Sequence, residues 1–202
     1  MLLLYYKECD IIFLMSKIKK FAIISSLSGV GLLSPVLSTG CSNNDKTLVV
    51  CFSCTGHTID VANKIVNNLD CSLFQIEPTV AYNPETDFGP DGRANKEQSG
   101  ELPAPEIKNS IKDFKSYSTF FFGYPIWAGT LPKIYYTLCS AYDFTNKTII
   151  PFCTSTETPI DTSVAELKEL EPKANFLTGK QFLDSALPTQ EEVNEWIKTL
   201  NL

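Results

Sequence analysis

Thr47-Leu48-Val49-Val50-Cys51-Phe52-Ser53-Cys54-Thr55-Gly56-His57-Thr58 is the stretch on which the fold turns. Its first half, Thr47–Phe52, is apolar and uncharged, as a strand buried on both faces requires. Its second half offers hydroxyls, a glycine and then the first residues of a helical pattern. In Thr58–Leu69 the apolar positions Val61, Ala62, Ile65, Val66 and Leu69 fall on one stripe. A strand that passes through a short polar loop into an amphipathic helix is the opening of a parallel α/β unit.

The same rhythm continues downstream. Ser72–Ile76, Thr119–Phe122 and Lys147–Cys153 read as further strands, and Phe176–Phe182 as a weak one broken near Gly179. Pro151 conflicts with a regular central strand, because proline cannot donate to a ladder. Pro132–Ala141 reads as a helix with proline first. Another opens at Asp161 and ends before Pro172. Thr189-Gln190-Glu191-Glu192 is a capping box for a last helix carrying Val193, Trp196, Ile197 and Leu200. Such alternation predicts a doubly wound parallel sheet covered on both faces. One segment breaks it: 77–105 holds five of the twelve prolines and three of the ten glycines. It is too long for a plain connection. Arg93–Gln98 within it reads as a short helix, and Glu106–Phe114 after it as another, with Ile107, Ile111 and Phe114 inward.

Ligands of such sheets bind beyond the carboxyl ends of the strands, and three of those ends carry unusual residues. Ser53, Cys54, Thr55, Gly56, His57 and Thr58 form a cradle of hydroxyls and backbone amides at a helix start, suited to a phosphate. Without a lysine it is not a Walker loop. Without three glycines it is not a dinucleotide fingerprint. Gly123-Tyr124-Pro125-Ile126-Trp127-Ala128-Gly129 places a large aromatic surface in a loop, where a flat ligand would cover it. Cys153-Thr154-Ser155-Thr156-Glu157-Thr158-Pro159 is polar enough to meet the edge of a ring. Each has a plainer alternative: a Ser/Thr helix cap for the first, a tryptophan folded back on the core for the second.

These motifs, in this order, resemble the flavodoxin-like family, and most of all its bacterial branch with a Tyr-Pro-Ile-Trp loop. The segment Arg93–Gln98 resembles that branch's long insertion. The resemblance spans roughly residues 47–200. It implies an α/β, three-layer, five-stranded parallel sheet of order 2-1-3-4-5 with FMN at its switch point. It places Ser53, Cys54, Thr55, Gly56, His57 and Thr58 at the FMN phosphate. Pro125, Ile126 and Trp127, with Ala128 and Gly129, flank the ring, and Thr154 and Ser155 border its edge or the ribityl chain. The family's third loop continues into Gly-Gly-Ser-Gly, where this chain has Thr156-Glu157-Thr158-Pro159. Thr and Glu resist dihedrals that glycine allows, and Glu157 beside a reduced ring would repel it. No nicotinamide motif is visible, so an electron carrier and a reductase fed by a nicotinamide cofactor remain open.

The N-terminal stretch reads as an address. Lys17, Lys19 and Lys20 precede the apolar run Phe21–Leu37, and residues 22–44 carry no charge. The run ends Leu37-Ser38-Thr39-Gly40-Cys41, which resembles a bacterial lipoprotein signal with Cys41 as the lipidated residue. On this reading 1–40 is leader, 41–46 a tether and 47–202 the domain. On the same reading the expected start is Met15, since a signal's charged region sits at its N-terminus; the alternative is a real apolar extension, Leu2–Tyr6 and Ile11–Met15. The protein would be exported and membrane-anchored by lipid alone. No arginine pair precedes the run, which predicts export of the unfolded chain and acquisition of FMN outside.

The 202 residues carry 17 basic and 23 acidic side chains, a net charge of −6. Without residues 1–40 the balance is 13 basic against 21 acidic, or −8. A body that acidic excludes nucleic-acid binding through phosphate neutralisation. A single histidine excludes zinc sites with two histidine ligands. Of the seven cysteines, Cys51, Cys54, Cys71, Cys139 and Cys153 fall in the domain and do not form a disulfide framework. Two other functions stay open. One is a cofactor-free surface lipoprotein acting as a binding module. The other is a thiol–disulfide oxidoreductase using Cys51 and Cys54, although Cys51 lies within the strand.

Overall fold

The computed structural model of the protein describes residues 46–202. The segment expected to be a leader (1–40, with its start at Met15), the expected lipid site Cys41 and the expected tether residues 42–45 lie outside the described residues. The order of elements is β1 (Lys46–Cys51), α1 (His57–Leu69), β2 (Ser72–Gln75), α2 (Arg93–Ser99), a 3-10 turn (Phe114–Ser116), β3 (Tyr117–Pro125), α3 (Ile134–Ala141), β4 (Thr148–Ser155), α4 (Asp161–Leu170), β5 (Asn175–Phe176), β6 (Lys180–Leu183) and α5 (Gln190–Thr199).

The strands are all parallel, in the order β2-β1-β3-β4-β5, with β6 pairing β4 further along the same edge. This is the predicted five-position sheet of order 2-1-3-4-5. Because side chains alternate across a strand, the apolar runs feed two cores. Val49, Cys51, Phe121, Ile150 and Phe152 pack against Val61, Ala62 and Ile65 of α1 and Val193, Trp196 and Ile197 of α5. Leu48, Val50, Phe52, Phe120, Phe122 and Ile149 pack against Ile134, Tyr135 and Leu138 of α3 and Leu167 of α4. The capping box at Thr189 and Glu192 forms as predicted.

Pro151 sits in the middle of β4 without cost to the ladder. The carbonyls of Ile149 and Ser155 accept from Leu177 and Asp184, so the odd-numbered residues of β4 face the β5–β6 edge. Opposite Pro151 that edge is interrupted between Phe176 and Lys180, and no donor is needed there. Gly179 passes so close that a Cβ on it would stand 2.9 Å from the Pro151 carbonyl oxygen. Proline and the broken fifth strand therefore explain each other.

The helix predicted over Glu106–Phe114 does not form. Lys108 N donates to Glu77 O at 2.8 Å, Thr79 N to Glu106 O at 2.9 Å, and Pro78 bridges Ile107 antiparallel. The Asn109 side chain adds bonds to Gln75 O and from Glu77 N. These bonds close the base of the 77–105 insertion and spend the backbone groups a helix would need. Ile107, Ile111 and Phe114 still turn into the core: the apolar pattern was legible, its backbone was not. The short helix inside the insertion does form, as α2.

Candidate functional site

The first loop leaves β1 after the Phe52 amide donates to Gly123 O at 2.9 Å. Ser53 Oγ then accepts from Gly56 N at 3.2 Å. Gly56 has φ +92°, and a Cβ there would meet nothing within 4 Å, so glycine is required by the dihedral and not by space. The helix α1 starts at His57 with no side-chain cap. Its first amides have no intrahelical partner, and the helix dipole adds positive potential at this end. Thr58 is buried, and its Oγ1 lies 2.7 Å from the equally buried Oγ1 of Thr154. One of the two hydroxyls donates to the other, so they join the first loop to the third.

The second loop is a tight reversal. Trp127 and Thr130 exchange backbone hydrogen bonds of 3.1 and 3.0 Å across Ala128 (φ +47°) and Gly129 (φ +81°). Two positive φ angles in a two-residue loop make a type I′ hairpin turn. Ile126 N ties this loop to the third through Thr154 O at 3.0 Å. The indole of Trp127 is half-buried at the rim. The rings of Phe52, Tyr82 and Phe88 meet it edge-on, with centroids at 5.2, 5.0 and 5.0 Å.

Two of those rings come from the insertion, as does Gln98. Its Nε2 donates to Trp127 O at 3.2 Å and to Leu131 O at 2.9 Å, and its Oε1 accepts from Lys133 N at 3.0 Å. Beneath them, buried Glu97 accepts from Arg93 Nε at 2.7 Å and from the Tyr82 hydroxyl, while the Arg93 guanidinium lies 4.3 Å from the Tyr82 ring centroid. Burial and the Glu97 hydrogen bond push the Tyr82 phenol well above its usual range. None of Tyr82, Phe88, Arg93, Glu97 or Gln98 was picked out for a role from sequence. The hints in the sequence are the aromatic and polar residues inside a Pro/Gly-rich tract and the resemblance of Arg93–Gln98 to a family insertion.

The third loop manages without the family's glycines. No residue from Thr154 to Pro159 has a positive φ. Ser155 Oγ donates to Thr158 O at 2.7 Å and accepts from Gln181 Nε2 at 2.8 Å, which pins the turn. Glu157 is exposed and outside the cleft lining. The carboxylate at the cleft is instead that of Asp184, which accepts from Thr156 Oγ1 at 3.1 Å.

Between the loops lies a cleft of about 290 Å³, close to the lower bound for small-molecule sites. Of the predicted residues, Thr55, His57, Pro125, Ile126, Trp127, Ala128, Gly129, Thr154 and Ser155 line it. Ser53, Cys54, Gly56 and Thr58 do not line it. A wider cleft of about 590 Å³ between β6 and α5 is lined by Glu191, Glu192 and Glu195 against the cation Lys180; its balance of charge is negative where a phosphate needs donors. Among the described residues no group of three or more His, Cys, Asp or Glu is placed to hold a metal, and no helix is long and apolar enough to cross a membrane.

Cys51 and Cys54 do not form a redox pair. Cys51 is buried in the α1/α5 core and Cys54 packs on the opposite one. Burial pushes the Cys54 thiol up to about 12 and that of Cys51 higher still. A reactive thiolate needs the reverse.

The doubly wound parallel sheet brings an uncapped helix N-terminus and an aromatic loop together at its β1/β3 switch point, the place where sheets of this class bind their ligands. The chain belongs to the Flavodoxin family, which residues 46–200 match. It is similar in structure to a chain assigned as a flavoprotein from Bacteroides eggerthii (28% identity, TM-score 0.71, covering 79% of this chain and 99% of that one). A second, from Bacteroides uniformis, shares 30% identity at TM-score 0.70, covering 76% of this chain and 97% of its own. A flavoprotein from Lactobacillus acidophilus, solved in complex with FMN, shares the fold at 24% identity and TM-score 0.58, covering 76% and 99%. No curated protein matches the chain.

Proposed function

We propose that this protein binds FMN in the cleft between its three loops and works as a redox protein, passing electrons to a partner or reducing a small acceptor. The observation that carries this reading is the convergence of the uncapped α1 N-terminus and the Trp127 loop on one cleft. The donor set fits the cofactor: neutral amides at a helix dipole suit a monophosphate, and a rim tryptophan suits a flat ring.

On this reading the backbone of Ser53–Thr58 holds the phosphate, with Gly56 making the turn. Pro125, Ile126 and Trp127 flank the ring, and Ala128 and Gly129 shape their loop. The backbone of Thr154 and Ser155 borders the ring edge or ribityl chain. FMN, when bound, supplies the electron-accepting chemistry, and the protein positions it and sets its potential. Asp184 adds negative charge at the wall, which disfavours a reduced anionic ring.

Titration of the protein with FMN tests this. Stoichiometric quenching of flavin fluorescence and a perturbed visible band are expected, with Trp127→Ala weakening both. No spectral change at any FMN concentration removes the reading. Oxidation of NADH or NADPH by the FMN-loaded protein tests a nicotinamide donor. Export and anchoring through lipid at Cys41 belong to the same proposal. Mass spectrometry of the mature N-terminus checks them, and an unmodified Cys41 within an intact leader contradicts them.

A further inference from the structure

The 77–105 insertion is closed at its base, and it reaches the rim of the cleft with the Tyr82 and Phe88 rings and with Gln98. There the Gln98 amide spans the Trp127 loop. It holds the carbonyls of Trp127 and Leu131 on one side and the Lys133 amide at the start of α3 on the other. Few other bonds restrain this loop. It has the two turn bonds between Trp127 and Thr130 and the single tie from Ile126 to Thr154. The turn bonds set its shape but not its tilt against the sheet. Ala128, with φ +47°, adds a residue in a conformation it does not favour.

We propose that Gln98 is a positioning residue for the flavin site, fixing the loop so that the Trp127 indole stands at the cleft wall. The proposal rests on the FMN reading above. Gln98 does not touch the ring on this account; it acts through the loop. A primary amide is the one uncharged side chain that donates two hydrogen bonds and accepts others, and all three contacts here use that capacity. Tyr82 and Phe88 then complete the box around the indole, so one insertion supplies both the clamp and the packing.

The test compares Gln98→Ala and Gln98→Glu with Asn95→Ala, each in a Trp196→Phe background that leaves Trp127 as the only indole. Gln98→Glu keeps an acceptor for Lys133 N but sets a carboxylate against two carbonyls. Asn95 lies on the same helix, and its Nδ2 donates to Gly89 O at 2.9 Å, inside the insertion. It is the control for a merely structural loss. Two readouts are taken: acrylamide quenching of Trp127 without FMN, and the FMN dissociation constant from flavin fluorescence.

Both Gln98 variants are expected to raise Trp127 quenching and to raise the FMN Kd by roughly 10- to 100-fold, the scale of two or three lost hydrogen bonds. Asn95→Ala is expected to change melting temperature alone. Unchanged quenching and Kd in both Gln98 variants overturns the proposal, as does an equal effect from Asn95→Ala. A parent protein that takes up no FMN defeats the flavin reading, and the quenching comparison then decides the clamp by itself.

Discussion

The hydroxyls of Thr58 and Thr154 lie 2.7 Å apart with 1% and 3% of each residue exposed, and they join the first turn of α1 to the end of β4. Thr58→Val removes one hydroxyl and leaves the other buried without a partner, a loss of about 1–3 kcal/mol. Thr154→Val does the same in reverse. Valine matches threonine in shape and branching, so neither change opens a cavity. Replacing both hydroxyls by methyls removes the unsatisfied group, and the double variant should lose less than about 1 kcal/mol. The cycle should therefore show a coupling of roughly 1–5 kcal/mol. For a domain of this size each kcal/mol moves Tm by about 2–4 °C, so single variants should melt several degrees lower and the double one close to the parent. Urea denaturation of the ligand-free protein measures all four corners. Additive losses in the double variant would show that the two hydroxyls find other partners, and the latch between the loops would not exist.

Asp184→Asn removes a negative charge from the cleft wall while keeping an acceptor for Thr156; FMN should bind a few-fold tighter at low salt and the gain should shrink as salt is added. Gly123→Ala puts a Cβ 2.1 Å from Cζ of Phe152, which is fully buried against Trp196; the expected loss is about 1–3 kcal/mol of unfolding free energy, recovered in part by Phe152→Leu. Cys54, with its thiol pushed to about 12 by burial, should react with iodoacetamide at pH 8 on the order of a thousandfold more slowly than a free thiol; fast native-state labelling would contradict the buried geometry. Because its folded value lies above the unfolded one, the same burial contributes stability that is complete below about pH 9 and lost as pH rises toward 12, which a denaturation series across that range measures.

Much of the framework was legible because it is written in local pattern. Apolar runs such as Leu48–Cys51 and Phe120–Phe122 are buried on both faces, and only a parallel sheet between two helix layers does that. The capping box at Thr189 uses residues three apart, within reach of sequence reading. The rim loops were legible for the same reason: Gly56 and the Trp127 reversal carry their backbone demands in their own residues.

What the chain does with the insertion was decided in three dimensions. Gln98 and Trp127 are 29 residues apart, and no periodicity links them. Glu106–Phe114 has a helical pattern of apolar residues, yet pairing with Glu77–Thr79 claims its backbone first. Pro151 looked like a strand breaker until the gap between β5 and β6 removed the need for its missing donor. At the third loop the exposed Glu157 gave way to Asp184, brought in from the far end of β6. Local sequence determines which groups a segment must satisfy; only the packed chain determines which partners, many residues away, satisfy them.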